Sequence, residues 1–327
     1  MRKLIFSTPM LCIIMIVLFL SCKEKNTEST NDTESDTIEI KGQQEQEDDV
    51  QNPTTGMGPN ISPDGKKVVF YSYVDENKGY IFSMNIDGSG KKMISKQIPT
   101  GFHTEPVWSP DGTKIAFTNF TPDSGAKVLV MDKDGNNWQN PVSVSDKGFH
   151  MFGDWEPDSK NFYFFHWPEG GFTPDVYYYE NGTVNRITND GISCRPHLGG
   201  DGTLFFSKIV DEEKRIYDTY KVIGSVKNDK ISTQKMDDLE GDFFTDKYAL
   251  KTKDVGDSTV FVLEDLDGND LREVGSVPHK GIMFPKLDKD LKNIIYNTSF
   301  EEGPEVHLLN LETNTITKLV AESETKS

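Results

Sequence analysis

Trp108-Ser109-Pro110-Asp111-Gly112 decides the fold, because it returns along the chain at a nearly constant interval. Ser62-Pro63-Asp64-Gly65 repeats it in full, Glu156-Pro157-Asp158-Ser159 keeps the central pair, and Gly200-Asp201-Gly202 keeps the end. Fainter copies lie around Asp246, ahead of Lys247-Tyr248-Ala249-Leu250, and around Asp290, ahead of Lys292-Asn293-Ile294-Ile295-Tyr296. The aspartates at 64, 111, 158, 201, 246 and 290 are 47, 47, 43, 45 and 44 residues apart, which marks six units.

A proline at the second turn position pre-sets φ, the aspartate bonds nearby amides, and the glycine accepts the positive φ that closes a hairpin. The motif therefore reads as a turn between two strands. In the second unit, strands are expected at 105–108, 114–118 and 128–131, with a fourth at Val142-Ser143-Val144 after the turn Asp132-Lys133-Asp134-Gly135. One four-stranded sheet cannot bury both of its faces, but a closed ring of such sheets can. The expected fold class is all-β: a six-bladed β-propeller of four-stranded antiparallel blades over residues 52–320, followed by a tail at 321–327.

The repeat resembles the TolB-like branch of the WD40-like β-propellers, on Pro59-Asn60-Ile61-Ser62-Pro63-Asp64-Gly65-Lys66 and Pro106-Val107-Trp108-Ser109-Pro110-Asp111-Gly112-Thr113-Lys114. Units four to six carry it only in outline. The resemblance implies a propeller in the bacterial cell envelope that binds a partner.

Residues 1–21 have the layout of a secretion signal, with Arg2-Lys3 ahead of an apolar run from Leu11 to Leu20. Ser21-Cys22 at its end resembles a lipoprotein cleavage box, which would make Cys22 the lipidated first residue of the mature chain. An ordinary cleaved signal and an uncleaved anchor are the alternatives. Residues 23–50 hold ten acids, three lysines and almost no apolar residue, so 22–51 reads as a disordered acidic tether behind the anchor. Within it, Thr37-Ile38-Glu39-Ile40-Lys41 alternates like a strand that could join a blade edge. The whole chain has 53 Asp+Glu against 35 Lys+Arg, a net charge of −18. Loss of Arg2 and Lys3 would take this to −20, and no basic stripe is present, so nucleic acid is excluded as a partner. With Cys12 in the signal and Cys22 modified, Cys194 would stand alone and no internal disulfide could form.

Propeller topology predicts two unlike faces. The Ser-Pro-Asp-Gly turns and turns such as Asp265-Leu266-Asp267-Gly268 gather on one face and read as structural punctuation; they lack a full calcium loop. Loops leading into each first strand emerge on the other face, at the channel mouth. Gly101-Phe102-His103 and Gly148-Phe149-His150 are the same tripeptide, each histidine eight residues before its aspartate, so both imidazoles are expected at that mouth. Glu105, Asp154, Arg195 and Glu240 fall nearby, giving a polar mouth of mixed charge, while His197 and His279 read as structural. In the third unit, Trp167 and Phe172 flank a loop on the same side, and aromatics beside polar groups suit a sugar face or a partner's peptide. His103 and His150 with neighbouring carboxylates could hold a divalent metal, although repeat ancestry alone would duplicate a tripeptide that only caps a loop.

The readings order themselves as follows. The first is a non-enzymatic, monomeric, lipid-anchored binding or scaffold module of the cell envelope, on the outer membrane facing the periplasm or the cell surface, that takes a protein or glycan at the channel mouth. It needs no cofactor. The alternative is a metal-dependent oligosaccharide lyase of the oligogalacturonide type, to which the resemblance extends in fold and residue type only. A peptidase is excluded, since the chain has no Gly-x-Ser-x-Gly.

Overall fold

The computed structural model describes residues 53–320 apart from 54, 76, 77, 99, 100, 122, 143–147, 215, 227–230, 238, 240–242, 246 and 300–302. The expected signal, Cys22, the tether with its 37–41 alternation, Asp246, Glu240 and the tail lie outside the described residues. Every regular element among the described residues is a strand. Six antiparallel meanders follow one another. The first holds β1 (Met57–Ile61), β2 (Lys67–Asp75), β3 (Lys78–Asn85) and β4 (Lys92–Met93), and the second holds β5 (Phe102–Trp108), β6 (Lys114–Thr121) and β7 (Gly125–Asp132). The third comprises β8 (Gly148–Trp155), β9 (Phe162–Pro168), β10 (Asp175–Glu180) and β11 (Thr183–Arg186); the fourth comprises β12 (Ser193–Leu198), β13 (Leu204–Asp211), β14 (Ile216–Ile223) and β15 (Ser232–Lys235). The fifth has β16 (Phe243–Phe244), β17 (Tyr248–Val255), β18 (Ser258–Asp265) and β19 (Asp270–Val277), and the sixth β20 (Met283–Leu287), β21 (Asn293–Asn297), β22 (Val306–Asn310) and β23 (Thr315–Val320).

The first three meanders join into one 11-stranded sheet through single parallel bridges, Gly79 to Phe102 and Ala126 to Phe149, whereas the last three are separate four-stranded sheets. Among the described residues no sheet closes on itself. Of the fourth strand expected at 142–144, Ser143 and Val144 lie outside the described residues; Gln139 forms an isolated bridge with Val130, and Val142 is buried against the third meander.

The second strand of each meander explains why its sequence is apolar without alternation. Neighbouring residues of a strand point to opposite faces, and here both faces are covered. Val68 and Phe70 pack with Ile295 and Val306 of the sixth meander, while Val69 and Tyr71 pack with Trp108, Ile115 and Phe117 of the second. Ala116 turns to the third meander, where Phe162 and Phe164 receive it, and Tyr163 turns to Leu204 and Phe206 of the fourth. Phe205 meets Ala249 of the fifth, whose neighbour Leu250 meets Ile294 and Tyr296 of the sixth. Each meander thus packs on the next and the sixth packs on the first. Burial of each such side chain stabilises the fold by ~1.5–3 kcal/mol.

Among the described residues, the seam between sixth and first meanders contains no exchanged strand. Buried Asn297 spans it: its side-chain oxygen accepts from the Gly58 amide at 3.0 Å and its Nδ2 donates to the Gly56 carbonyl. The Gly56 amide in turn donates to the Pro304 carbonyl at 2.8 Å.

The repeated turn is built as its residue types require. Ser62 Oγ donates to Asp64 Oδ1 at 2.7 Å, the Lys66 amide donates to the same oxygen at 3.1 Å, and the Gly65 amide donates to the Ser62 carbonyl at 2.8 Å. Ser109 and Asp111 repeat this network. These bonds, the Ser62 hydroxyl first, hold the Asp64 carboxyl below its ordinary range.

Candidate functional site

The innermost strands carry a shared irregularity that aims side chains at the axis. Register shifts fall between Met57 and Asn60, Thr104 and Val107, Phe152 and Asp154, Cys194 and His197, and Met283 and Lys286. Counted back from the marker aspartates, these are the same bulge. Gly58, Glu105, Arg195 and Phe284, each followed by a proline, occupy its left-handed position with φ of 55, 52, 54 and 51°. For a residue with a Cβ this conformation costs ~1–2 kcal/mol, and glycine escapes it. In the third meander Gly153 stands at the proline position, and a Cβ there would come within 2.4 Å of Pro196 Cγ.

After the bulge, the next side chain reaches the neighbouring meander. Asn60 Oδ1 accepts from the Trp108 amide at 3.2 Å, and Asp154 Oδ2 accepts from the Leu198 amide at 2.9 Å while its Oδ1 accepts from the Trp155 amide at 2.8 Å. His197 and Lys286 hold the same position in the fourth and sixth meanders.

Five ionisable residues converge there: Glu105, Asp154, Arg195, His197 and Lys286. They come from the second, third, fourth and sixth meanders, which can meet only on the axis, and each keeps partial accessibility. Removal from bulk water dominates their electrostatics. Burial raises Glu105 to about 7, against the opposing charges of Lys286 and Arg195. Burial likewise raises Asp154 to about 6 against its two amide donors and Lys286. His197 is lowered to about 3 by burial and then by the cationic Arg195 and Lys286, so it is neutral. Lys286 is lowered by burial, with Glu105 and Asp154 holding it up. The Arg195 guanidinium also lies 5.8 Å from the Tyr217 ring centroid. The result is a mixed-charge centre in which two carboxyls titrate near neutrality.

The expected residues divide. Glu105, Asp154 and Arg195 are brought together, and Glu240 lies outside the described residues. His103 and His150 are not at the mouth. His103 is fully buried, its Nδ1 2.7 Å from Ser95 Oγ and its ring against Tyr80 and Phe117. His150 is buried in the next seam, stacked on His166 at 4.3 Å, with Nδ1 3.3 Å from the Ala126 carbonyl. Both precede the bulge, where the strand faces a neighbouring meander. Among the described residues no group of three or more His, Cys, Asp or Glu is placed to hold a metal ion.

Trp167 is also buried, stacked on Phe149 at 4.9 Å and meeting Phe172 edge-on at 4.9 Å, so its indole is spent on packing; Phe172 remains half-buried. His197 and Lys286 are the axial residues that sequence reasoning missed. The signal was a proline five residues before the marker aspartate, at 59, 106, 196 and 285, which places the residue after it on the axis.

No family model matches the chain and no curated protein matches it. Solved structures do. The chain is similar to the tricorn protease at 16% identity and a TM-score of 0.53, covering 84% of this chain and 27% of that one. It is similar to an oligogalacturonate lyase in complex with manganese at 12% identity and a TM-score of 0.51, covering 84% and 79%. TolB from Acinetobacter baumannii matches at 19% identity and a TM-score of 0.48, with the chain covering 67% of itself and 53% of that protein. At these identities the likeness is one of fold alone, an all-β fold of the propeller type.

Proposed function

We propose that the six meanders are the blades of a six-bladed propeller and that the protein is a non-enzymatic binding module, lipid-anchored at Cys22 in the bacterial cell envelope, which takes a protein or glycan ligand on its axis. One observation carries the binding role. Glycine serves at the left-handed bulge position in the first blade, yet Glu105 and Arg195 stand there in the second and fourth at a conformational cost glycine avoids. A charged side chain held at that expense on a partly accessible axis is suited to a ligand's polar groups. Glu105, raised to about 7, would present a neutral carboxyl or a carboxylate according to pH.

The test compares the wild-type chain with a Glu105→Gln/Arg195→Met variant for retention of separated envelope proteins and peptidoglycan fragments. Retention by wild type that the variant loses, with both chains folded under the assay conditions, supports the reading; equal retention by both, or none by either, refutes it. The anchor is checked separately, since Cys22→Ala should move the chain from the membrane fraction to the soluble one. The lyase reading would regain ground if manganese bound stoichiometrically and was lost on replacing His103 and His150.

A further inference from the structure

The Ser-Pro-Asp-Gly face is more than punctuation. Turns of the first, second, fifth and sixth meanders enclose a cavity of about 490 Å³ over the axial Asn60 and Lys286. Its walls include Trp108, Tyr248 and Leu287, and among the described residues its charged lining is Lys247, Lys286 and Lys289 against one acid, Asp288. That acid is already committed: Oδ1 accepts from the Lys292 amide and Oδ2 from Asn293 Nδ2, each at 2.7 Å. Lys286 is faced by Glu105 and Asp154 on the axis, so the excess positive charge of the cavity is that of Lys247 and Lys289, in a chain with a net charge of −18. Lys247 and Lys289 are exposed, and no hydrogen bond or ion pair of their ammonium groups occurs among the described residues.

A second cavity of about 660 Å³ shares Ser62, Pro63, Trp108, Pro110 and Lys289 with the first and continues the basic lining through Lys66, Lys67, Lys92 and Lys133. Two of its aspartates, Asp64 and Asp111, are tied into their own turns. Trp108, 6% exposed, forms the wall between the cavities, and its indole N–H has no hydrogen-bond partner among the described residues. Gathering ammonium groups around a concavity is unfavourable unless an anion occupies it. The volume lies in the range of small-molecule sites, ~300–1,000 Å³, and a flat aromatic wall suits a sugar ring.

We propose that the Lys247–Lys286–Lys289 cavity binds a small anionic ligand, a sugar-sized body carrying a phosphate or a carboxylate. Lysines act as point charges toward either group, so the shared chemistry is the anion. The site lies on the turn face and shares Lys286 with the axial group, whereas the exposed Lys247 and Lys289 lie outside that group.

Isothermal titration with glucose 6-phosphate, glucuronate and glucose, on the wild-type chain and a Lys247→Met/Lys289→Met variant, tests it. Both lysines are exposed, so the variant should keep the wild-type unfolding midpoint. At least one of the two anions should bind, glucose should bind at least tenfold more weakly, and the variant should lose at least tenfold. Raising salt past about 0.1 M should weaken binding further, since exposed charges are screened there. Preference for glucose 6-phosphate or for glucuronate identifies the anion. Absence of binding by either, equal binding of glucose, or anion binding unchanged in the variant would overturn the proposal.

Discussion

Replacing Glu105 by glutamine should make the protein more stable at alkaline pH and leave it nearly unaffected in acid. The carboxyl's native pKa is raised from 4.5 to about 7, chiefly by burial. Below pH 4.5 the group is protonated in both folded and unfolded chains and contributes no difference. Between 4.5 and 7 the native state retains a proton that the unfolded chain has released, so stability falls as pH rises; above 7 the loss is complete. At ~1.4 kcal/mol per pKa unit the ceiling is about 3 kcal/mol, and partial accessibility along the axis reduces the expectation to about 1–2 kcal/mol. Glutamine carries no charge at any pH and escapes this loss. Urea unfolding, followed by the fluorescence of the buried Trp108, Trp155 and Trp167, should therefore show the stability difference, variant minus wild type, rising by about 1–2 kcal/mol from pH 5 to pH 8.5. A difference that is flat in pH, or that falls, would mean that Lys286 and Arg195 outweigh burial at Glu105 and would refute the reasoning.

His197 should shape the acid limb in the opposite sense. Its native pKa of about 3 lies below the ordinary 6.5, so the unfolded chain takes up a proton first as pH falls. Stability drops from pH 6.5 downward, and His197→Gln should flatten that drop in acid titrations of unfolding. Asn297→Ala should cost about 2–4 kcal/mol in urea unfolding, because it strips the Gly58 amide and Gly56 carbonyl of their side-chain partner inside the seam between sixth and first meanders. The buried Cys194 thiol is pushed up to about 12 by burial, so peptide mapping after iodoacetamide treatment at pH 8 should find it unmodified in the native protein and alkylated in urea.

The repeat was legible because the turn chemistry of Ser62-Pro63-Asp64-Gly65 and Ser109-Pro110-Asp111-Gly112 is local: serine, aspartate and glycine satisfy one another within a few residues. The apolar runs Val68–Tyr71 and Phe162–Phe165 showed strands; that both of their faces are covered depends on neighbours a repeat away. Glu105, Asp154 and Arg195 were found as axial residues by their offset from the aspartates. His103 and His150 shared an offset too, but the bulge that rotates the strand lies after them, and their rings went into seams. Lys286 escaped notice and His197 was read as structural because their placement depends on that bulge. The basic cavity was hidden for another reason: Lys247 and Lys289 come from turns of different meanders and Lys286 from β20, and in a chain so acidic only three-dimensional proximity brings out a positive patch.

The seam held by Asn297 makes the molecule, in energetic terms, a circle without a privileged beginning. Among the described residues no strand is traded across it, and its apolar cluster of Val68, Phe70, Ile295 and Val306 is of the same kind as those at the other five junctions. The numbering starts at one junction among equals, and a whole meander is the smallest arc that can be added or removed while every junction keeps two complete faces. Diversification of such a ring can proceed by permuting or duplicating arcs, with the axis free to change its charges one bulge at a time.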